Sequence, residues 1–184
     1  MELSRTPDLL LRSWRPDDLD GFFDVYSRWD VMRWLGPQPR RAVVDLDEAA
    51  ERLARWVQRG LDLSAPQGLW AIVPLSAGAV DGVPVGTAML MPLDDETGRT
   101  DEVEVGWHLH PDHQGKGLAT RAARALLDRA ATAGYPRVLA LTDLDNEPSQ
   151  AVARRLGMAD EGPTDRWFGL TMRQFAGSST SVQR

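Results

Sequence analysis

The 184-residue chain contains no cysteine. This absence excludes a disulfide framework, a zinc site with thiolate ligands and a cysteine nucleophile. Positive charge is also in deficit: the net charge is −6, which argues against nucleic-acid binding, because such domains gain affinity by neutralising phosphates. Apolar runs are short, and none approaches the roughly 18 residues of a membrane helix or the apolar stretch of a signal peptide. We therefore expect a soluble, cytoplasmic protein with no nucleic-acid or membrane partner.

Hydrophobic residues make up 42% of the chain and charged residues 26%, which are ordinary values for a globular protein. The length predicts a single domain, which we assign to residues 1–176. Residues 177–184 are Ser-rich and polar and are predicted to be a disordered tail.

Hydrophobic periodicity predicts alternating helices and strands along the chain. Helices are expected from residue 16, over residues 45–58 and 118–133, and from Asn146, which is placed as an N-cap. Strands are expected over residues 8–14, 68–74, 83–93, 102–110 and 137–142, followed by a closing hairpin at residues 158–163 and 166–171. The order β–α–α–β–β–β–α–β–α–β–β predicts a mixed α+β fold rather than a doubly wound sheet.

The segment Gln-Gly-Lys-Gly at residues 114–117 lies between a predicted strand and a predicted helix. Glycine lets the backbone approach a ligand closely, and a helix N-terminus offers free N–H groups and a positive dipole end. The pattern indicates an anion site, usually for phosphate, with a tight turn as the alternative. It is neither a Walker loop, because Gly117 follows Lys116 where Ser or Thr is required, nor a dinucleotide fingerprint, because Thr120 replaces the third glycine.

The spacing Gln-x-x-Gly-x-Ala at Gln114, Gly117 and Ala119 resembles the cofactor loop of the GNAT superfamily of acyl-CoA-dependent N-acetyltransferases. The resemblance is to the RimJ/RimL-like branch and extends over residues 8–173. Gly82 and Gly86 match its central hairpin strand, and the stretch NEPSQAVARRLGM matches its N-x-x-S helix. The fold that this resemblance implies is α+β, with a mixed, mostly antiparallel central sheet, a splayed cofactor strand and flanking helices.

The resemblance implies acetyl-CoA as co-substrate and no metal. It assigns the pyrophosphate to the backbone amides of the loop and the helix start: Gln114, Gly115, Lys116, Gly117, Leu118, Ala119 and Thr120. It further assigns the pantetheine arm to the splayed strand and the following helix: Trp107, His108, Leu109, Asn146 and Ser149. A helix-cap role for Asn146 is compatible with this assignment.

By the same resemblance, Glu104 is the general base that accepts a proton from the amine, often through a water. Glu102 alternates to the same strand face and is an acceptor-site candidate; the alternative is that both are solvated carboxylates. Many members of the family use a tyrosine as the acid for the leaving thiolate, but its position is occupied by Ala153. Ser149 or a bound water is then the preferred proton donor. Tyr26 lies on an apolar helical stripe and is expected in the core.

Aromatic residues are candidates for the acceptor pocket. Trp29 and Trp34 flank the helix junction that shapes this pocket in the family, and Trp167 lies on the late hairpin that closes it; simple packing is the alternative.

Three histidines, His108, His110 and His113, form an H-x-H-x-x-H pattern. Two of them share a strand face, as metal ligands can. No carboxylate stands at a fixed spacing from them, and the segment already matches a cofactor strand, so we predict no metal site.

These observations predict an N-acetyltransferase that acts by direct attack in a ternary complex, since no cysteine is available for an acyl intermediate. The acceptor is expected to be a protein N-terminal α-amine or a small-molecule amine. The alternative is a non-catalytic acyl-CoA-binding regulatory module, which Ala153 supports and Glu104 opposes. Dimers are common in the resembling family, so a homodimer is expected.

Overall fold

A computed structural model describes residues 2–36 and 38–178, which form one eight-stranded sheet with helices on both faces. The spatial order of the strands is β1-β2-β3-β4-β5-β6-β8-β7, and every neighbouring pair is antiparallel except β5 and β6. This architecture confirms the mixed, mostly antiparallel sheet. The strands are β1 (Glu2–Thr6), β2 (Leu9–Ser13), β3 (Gly68–Pro74), β4 (Gly86–Asp95), β5 (Gly98–Leu109), β6 (Arg137–Asp143), β7 (Ala159–Thr164) and β8 (Met172–Ser178).

Five α-helices lie within the described residues: α1 (Leu19–Tyr26), α2 (Trp29–Met32), α3 (Leu46–Asp62), α4 (Leu118–Thr132) and α5 (Glu147–Arg155). One sheet face packs against α4 and α5 around Trp70, Val105 and Leu126, and the other packs against α1, α2 and α3 around Phe22 and Leu53. In the described part of the chain, no helix combines the length and the apolar character needed to cross a membrane.

Local sequence explains where these helices begin. The Asp45 carboxylate accepts a hydrogen bond from the backbone N–H of Glu48 at 2.9 Å and caps α3. The Asn146 side chain accepts one from the N–H of Ser149 at 3.3 Å and caps α5, as predicted. Each cap satisfies an N–H group that the first turn of a helix would otherwise leave unpaired.

The two central strands β5 and β6 separate almost as soon as they meet. They pair at a single register, Glu104 opposite Leu139. Beyond it, β5 stays paired with β4 as far as Leu109, and β6 stays paired with β8 as far as Asp143. A gap therefore opens in the middle of the sheet, which confirms the predicted splayed strand.

Two predicted strand assignments differ from the structure. Strand β1 is not predicted by the sequence. Its residues are mostly exposed, and it forms an edge of the sheet. It therefore shows no alternation of apolar and polar residues. The second strand of the closing hairpin was predicted at residues 166–171, but β8 is Met172–Ser178. The aromatic run that suggested a strand is a loop, in which Phe168 adopts a left-handed φ of 58° and Trp167 is fully buried.

Several predicted boundaries also move, and β5 begins at Gly98 rather than at residue 102. Helix α3 continues through Gly60 to Asp62. The tail was predicted from residue 177, whereas β8 extends to Ser178, and residues 179–184 of that prediction lie outside the described residues.

Gly86 lets β4 approach β5 where the gap opens. It lies opposite Leu109, and a Cβ added to Gly86 would overlap the backbone carbonyl oxygen of His108. Since the obstacle is backbone, the clash cannot be relieved by a side-chain rotation.

We expect Gly86→Ala to lower the free energy of unfolding by about 1–3 kcal/mol, the usual cost of forcing extra volume into a packed site. Urea denaturation at constant pH measures this change. Gly60→Ala is the matched control: an added Cβ there meets no atom within 4 Å, and alanine in a helix should raise stability by about 0.5–1 kcal/mol. Equal stability of Gly86→Ala and the wild type would contradict this account.

Candidate active site

A cavity of about 1220 Å³ occupies the gap between β5 and β6. Its wall includes most of the site residues that the sequence predicted. These are Trp34, Glu104, Trp107, His108, Leu109, Gln114, Gly115, Gly117, Leu118, Ala119, Thr120, Asn146 and Ser149.

Four predicted site residues lie outside this wall. Trp29 is 53% exposed on α2, whereas Trp167 is fully buried and its indole N–H donates to the Gln174 side chain at 2.7 Å. Glu102 lies near Arg137, at a nitrogen–oxygen distance of 4.0 Å, and Lys116 is exposed in its loop. Their site roles stay predictions.

The loop before α4 has the backbone geometry of an anion cradle. Gly115 and Gly117 adopt left-handed φ angles of 73° and 74°, which only glycine adopts readily. Within the described residues, no backbone N–H from position 115 to 120 donates a hydrogen bond, and the first that does is Arg121, to Gly117 at 3.0 Å. Six consecutive donors at the start of a fifteen-residue helix form a site for phosphate groups.

Polar atoms without partners lie along the gap. In the described part of the chain, the Trp107 indole N–H and the Thr142 hydroxyl are buried and form no hydrogen bond. Both residues line the cavity. Unpaired buried polar groups are costly and rare in folded proteins, so these two groups are candidates for hydrogen bonds with a ligand in the cavity.

Glu104 lies at the vertex of the gap, between Met91 of β4 and Leu139 of β6. Its carboxylate is buried, and Oε2 has no hydrogen-bond partner among the described residues. Burial raises the pKa of Glu104 to about 7, although the positive charge of Arg59 acts in the opposite direction. A carboxylate with a pKa near neutrality can accept a proton efficiently at physiological pH.

A hydrogen-bonded chain of side chains supports the opposite wall. The Trp14 indole N–H donates to the Thr87 hydroxyl at 3.2 Å, and the Tyr26 hydroxyl lies 2.6 Å from the same oxygen. Tyr26 also lies 3.4 Å from His108 Nδ1, and burial lowers the pKa of His108 to about 4, so this imidazole is neutral at pH 7. The ring of Trp56 packs 5.1 Å from that of Tyr26.

The sequence predicts Tyr26 in the core, and it does not predict that Tyr26 and Trp56 belong to the cavity wall. Tyr26 is indeed buried, at 2% exposure, but both side chains line the cavity. The sequence carries no signal for this, since an apolar helical stripe is the same whether it faces a packed core or a cavity.

The three histidines do not converge on one point. His110 Nδ1 accepts a hydrogen bond from the backbone N–H of Asp112 at 3.2 Å, while His108 belongs to the wall with Tyr26. Over residues 2–36 and 38–178, no three His, Asp or Glu side chains are arranged to bind a metal ion.

Comparison with known proteins relates this chain to one enzyme family. The family model "Acetyltransferase (GNAT) domain" matches residues 8–159. An uncharacterized N-acetyltransferase, p20 of Bacillus licheniformis, is 26% identical over 163 residues, which cover 88% of this chain and 85% of p20.

Two solved structures share the fold. A GNAT-family acetyltransferase from Bacillus anthracis superposes with a TM-score of 0.75 at 20% identity, covering 98% of this chain and 99% of that one. RimL, a ribosomal-protein α-N-acetyltransferase solved in complex with coenzyme A, gives a TM-score of 0.73 at 17% identity, with coverage of 97% and 98%.

The raised pKa of Glu104 has a consequence for stability. The folded carboxyl titrates near pH 7 and the unfolded one near 4.5, so the folded state binds the proton more tightly. Below about pH 4.5 both states are protonated and Glu104 costs nothing. Between about pH 4.5 and 7 the unfolded carboxyl loses its proton while the folded one keeps it, so the free energy of unfolding falls, and above pH 7 this loss is complete.

We therefore expect Glu104→Gln to be more stable than the wild type above pH 7, by ~3 kcal/mol, with the difference vanishing near pH 4.5. Chemical denaturation of the ligand-free protein from pH 4.5 to 8 measures it. The matched control is Glu102→Gln, on the same strand face but partly exposed. If the difference in free energy of unfolding between Glu104→Gln and the wild type does not grow with pH, Glu104 does not carry a buried charge.

Proposed function

This chain belongs to the GNAT family of acetyltransferases and is an acetyl-CoA-dependent N-acetyltransferase, and we propose that it works by direct attack of a bound amine, with Glu104 as the general base. The observation that carries the proposal is the buried carboxylate of Glu104 at the vertex of the gap, with a pKa near 7 and no hydrogen-bond partner for Oε2 in the described chain.

The cofactor half of the cavity is proposed to lie on the side of α4 and α5. The free amides of residues 115–120 fit the pyrophosphate, whose charge they and the helix dipole stabilise. The unpaired donors of Trp107 and Thr142 fit the amide carbonyls of the pantetheine arm. Arg155 lines the same part of the wall, from the end of α5, and adds positive charge for phosphates.

The amine is proposed to enter from the side of α1, α2 and α3. An amine enters largely as its ammonium form, because α-amines titrate near ~7.7–8.0 and lysine-like amines near ~10.4. Glu104 removes a proton, directly or through a water, and the freed nitrogen lone pair attacks the thioester carbon. Neutral His108, fixed by Tyr26, cannot repel the incoming cation, and Trp56 supplies apolar contact.

The leaving thiolate needs a proton when the carbon–sulfur bond breaks. The side chain of Ala153 is a methyl group, so that position cannot supply the proton. Ser149 lines the cavity, and its hydroxyl forms no hydrogen bond with another described residue. We assign the donor role to Ser149 or to a water at its hydroxyl.

The acceptor class is proposed to be a primary amine. The name of RimL describes an enzyme that acetylates a protein α-amine, and a protein N-terminus is therefore one candidate for this chain; a small-molecule amine is the other. A homodimer and a cytoplasmic location remain predictions from the sequence. A binding module without catalysis is the competing hypothesis, and the assay below distinguishes the two.

We expect thiol release from acetyl-CoA to depend on an added amine and to rise with pH to a plateau above pH 7, as Glu104 loses its proton. Glu104→Gln should lower kcat/KM by about 10²- to 10⁴-fold, the usual contribution of a positioned base, and remove the inflection near pH 7. Its affinity for coenzyme A, measured by calorimetry, should stay within about twofold of the wild type.

Glu102→Gln separates the two carboxylates of the strand, since Glu102 lies outside the cavity. A greater loss of rate in Glu102→Gln than in Glu104→Gln would reassign the base. Coenzyme A binding without thiol release from any acceptor would favour the regulatory module.

A further inference from the structure

Two opposite charges share the cavity without pairing. Glu104 is buried at the vertex, and Arg59 lines the wall from α3. The two side chains interact, because the positive charge of Arg59 opposes the rise in the pKa of Glu104, yet they form no ion pair. Within the described residues, the Arg59 guanidinium makes neither a hydrogen bond nor a salt bridge.

The other cations of the wall are already engaged or lie elsewhere. Arg40 pairs with Asp143 at 3.0 Å, and Arg52 pairs with Glu48 at 2.6 Å. Arg33 lies 3.9 Å from Asp30, and Arg155 belongs to α5 on the opposite face of the sheet. Arg59 is therefore the free cation on the acceptor side of the described wall.

Resting on the function proposed above, we propose that the acceptor carries a carboxylate as well as its amine, and that Arg59 binds this carboxylate while Glu104 receives the amine. A molecule with both charges satisfies both unpaired groups at once. A simple monoamine would leave the guanidinium of Arg59, an exposed residue, to water and would bring a second positive charge near it.

The position of Arg59 suits this role. Arg52, Trp56 and Arg59 are spaced i, i+4 and i+7, so they share one face of α3, and all three line the cavity. Trp56 packs against Tyr26 and close to His108. The carbon skeleton of the acceptor can then lie against Trp56. The planar guanidinium of arginine binds carboxylates through two parallel hydrogen bonds, which adds geometric selectivity.

A role for Arg59 in binding the phosphates of the cofactor is less consistent with the fold. Helix α3 covers the sheet face that also carries α1 and α2, whereas the free amides of residues 115–120 belong to the loop before α4 and to its first turn, on the other face. Coenzyme A affinity of an Arg59 variant is a direct test of this point.

The experiment compares amines that differ only in one carboxylate. In the first set, each free amino acid is compared with its own carboxamide. In the second set, peptides with an amidated C-terminus and Asp at the second position are compared with the same peptides carrying Asn there. The amide of an amino acid has the lower amine pKa and offers more free amine at pH 7.5, so chemistry alone favours the amide. We expect the opposite: a higher kcat/KM for the carboxylate member of at least one kind of pair.

Arg59→Gln should lower kcat/KM for the preferred carboxylate acceptors by about 10- to 100-fold, the range expected for a hydrogen bond to a charged group, and should remove the preference over the amides. Loss of Arg59 also alters the pKa of Glu104, but this change affects both members of a pair equally. The ratio of their kcat/KM values therefore reports only the contribution of the acceptor's carboxylate. Arg55→Gln is the matched control, because Arg55 lies on the same helix with a side chain 65% exposed and outside the cavity.

Acceptor binding to the coenzyme A complex is measured by calorimetry as well, so that the inference is decided even without turnover. Selectivity in the amino-acid pairs assigns the carboxylate to a free amino acid, and selectivity in the peptide pairs assigns it to an acidic side chain; either supports the proposal. The proposal would be overturned by equal kcat/KM and equal binding of acids and amides, or by an equal loss of kcat/KM for both in Arg59→Gln. Weaker coenzyme A binding in that variant would also overturn it. Absence of thiol release with selective binding would contradict the proposed function alone.

Discussion

The separation of β5 from β6 after a single paired register is the constraint on which the active site depends. β5 and β6 pair only at Glu104 and Leu139, while each strand keeps a longer pairing on its other side, with β4 for one and β8 for the other. The sheet therefore contains a gap with unpaired backbone at its centre. The cavity, the burial of Glu104 and the exposure of the α4 N-terminus to the same space all follow from that gap.

Burial of Glu104 suits its proposed role as a base and opposes stability through the same physical effect. Removing a carboxylate from water disfavours its charged form, which raises its pKa into the working range of a general base. The ionised form then destabilises the folded protein at neutral pH. Arg59 moderates this cost without neutralising the carboxylate, since the two do not form an ion pair. A direct salt bridge would lower the pKa and weaken the base.

The two faces of the sheet contribute different parts of the candidate site. The face with α4 and α5 contributes the free amides and the unpaired donors that suit a phosphate-bearing cofactor. The face with α1, α2 and α3 contributes the aromatic wall of Tyr26 and Trp56, and it contributes Arg59, which has no ion-pair partner among the described residues. The gap joins the two halves, so that the proposed cofactor and acceptor sites meet at Glu104.

The sequence by itself determined the family, most of the secondary structure and the glycine-rich loop before α4, because these depend on short-range patterns: two closely spaced glycines before a helix, the Asn146 cap and apolar periodicity. It did not determine β1, an exposed edge strand without apolar alternation. It also did not determine the position of β8, because the buried Trp167 lies in a loop whose apolar residues suggested a strand. Only the tertiary structure decided that Tyr26, Trp56 and Arg59 border the site. Helical spacing specifies which residues share a face, but strand pairing and helix packing decide whether that face meets a core or a cavity.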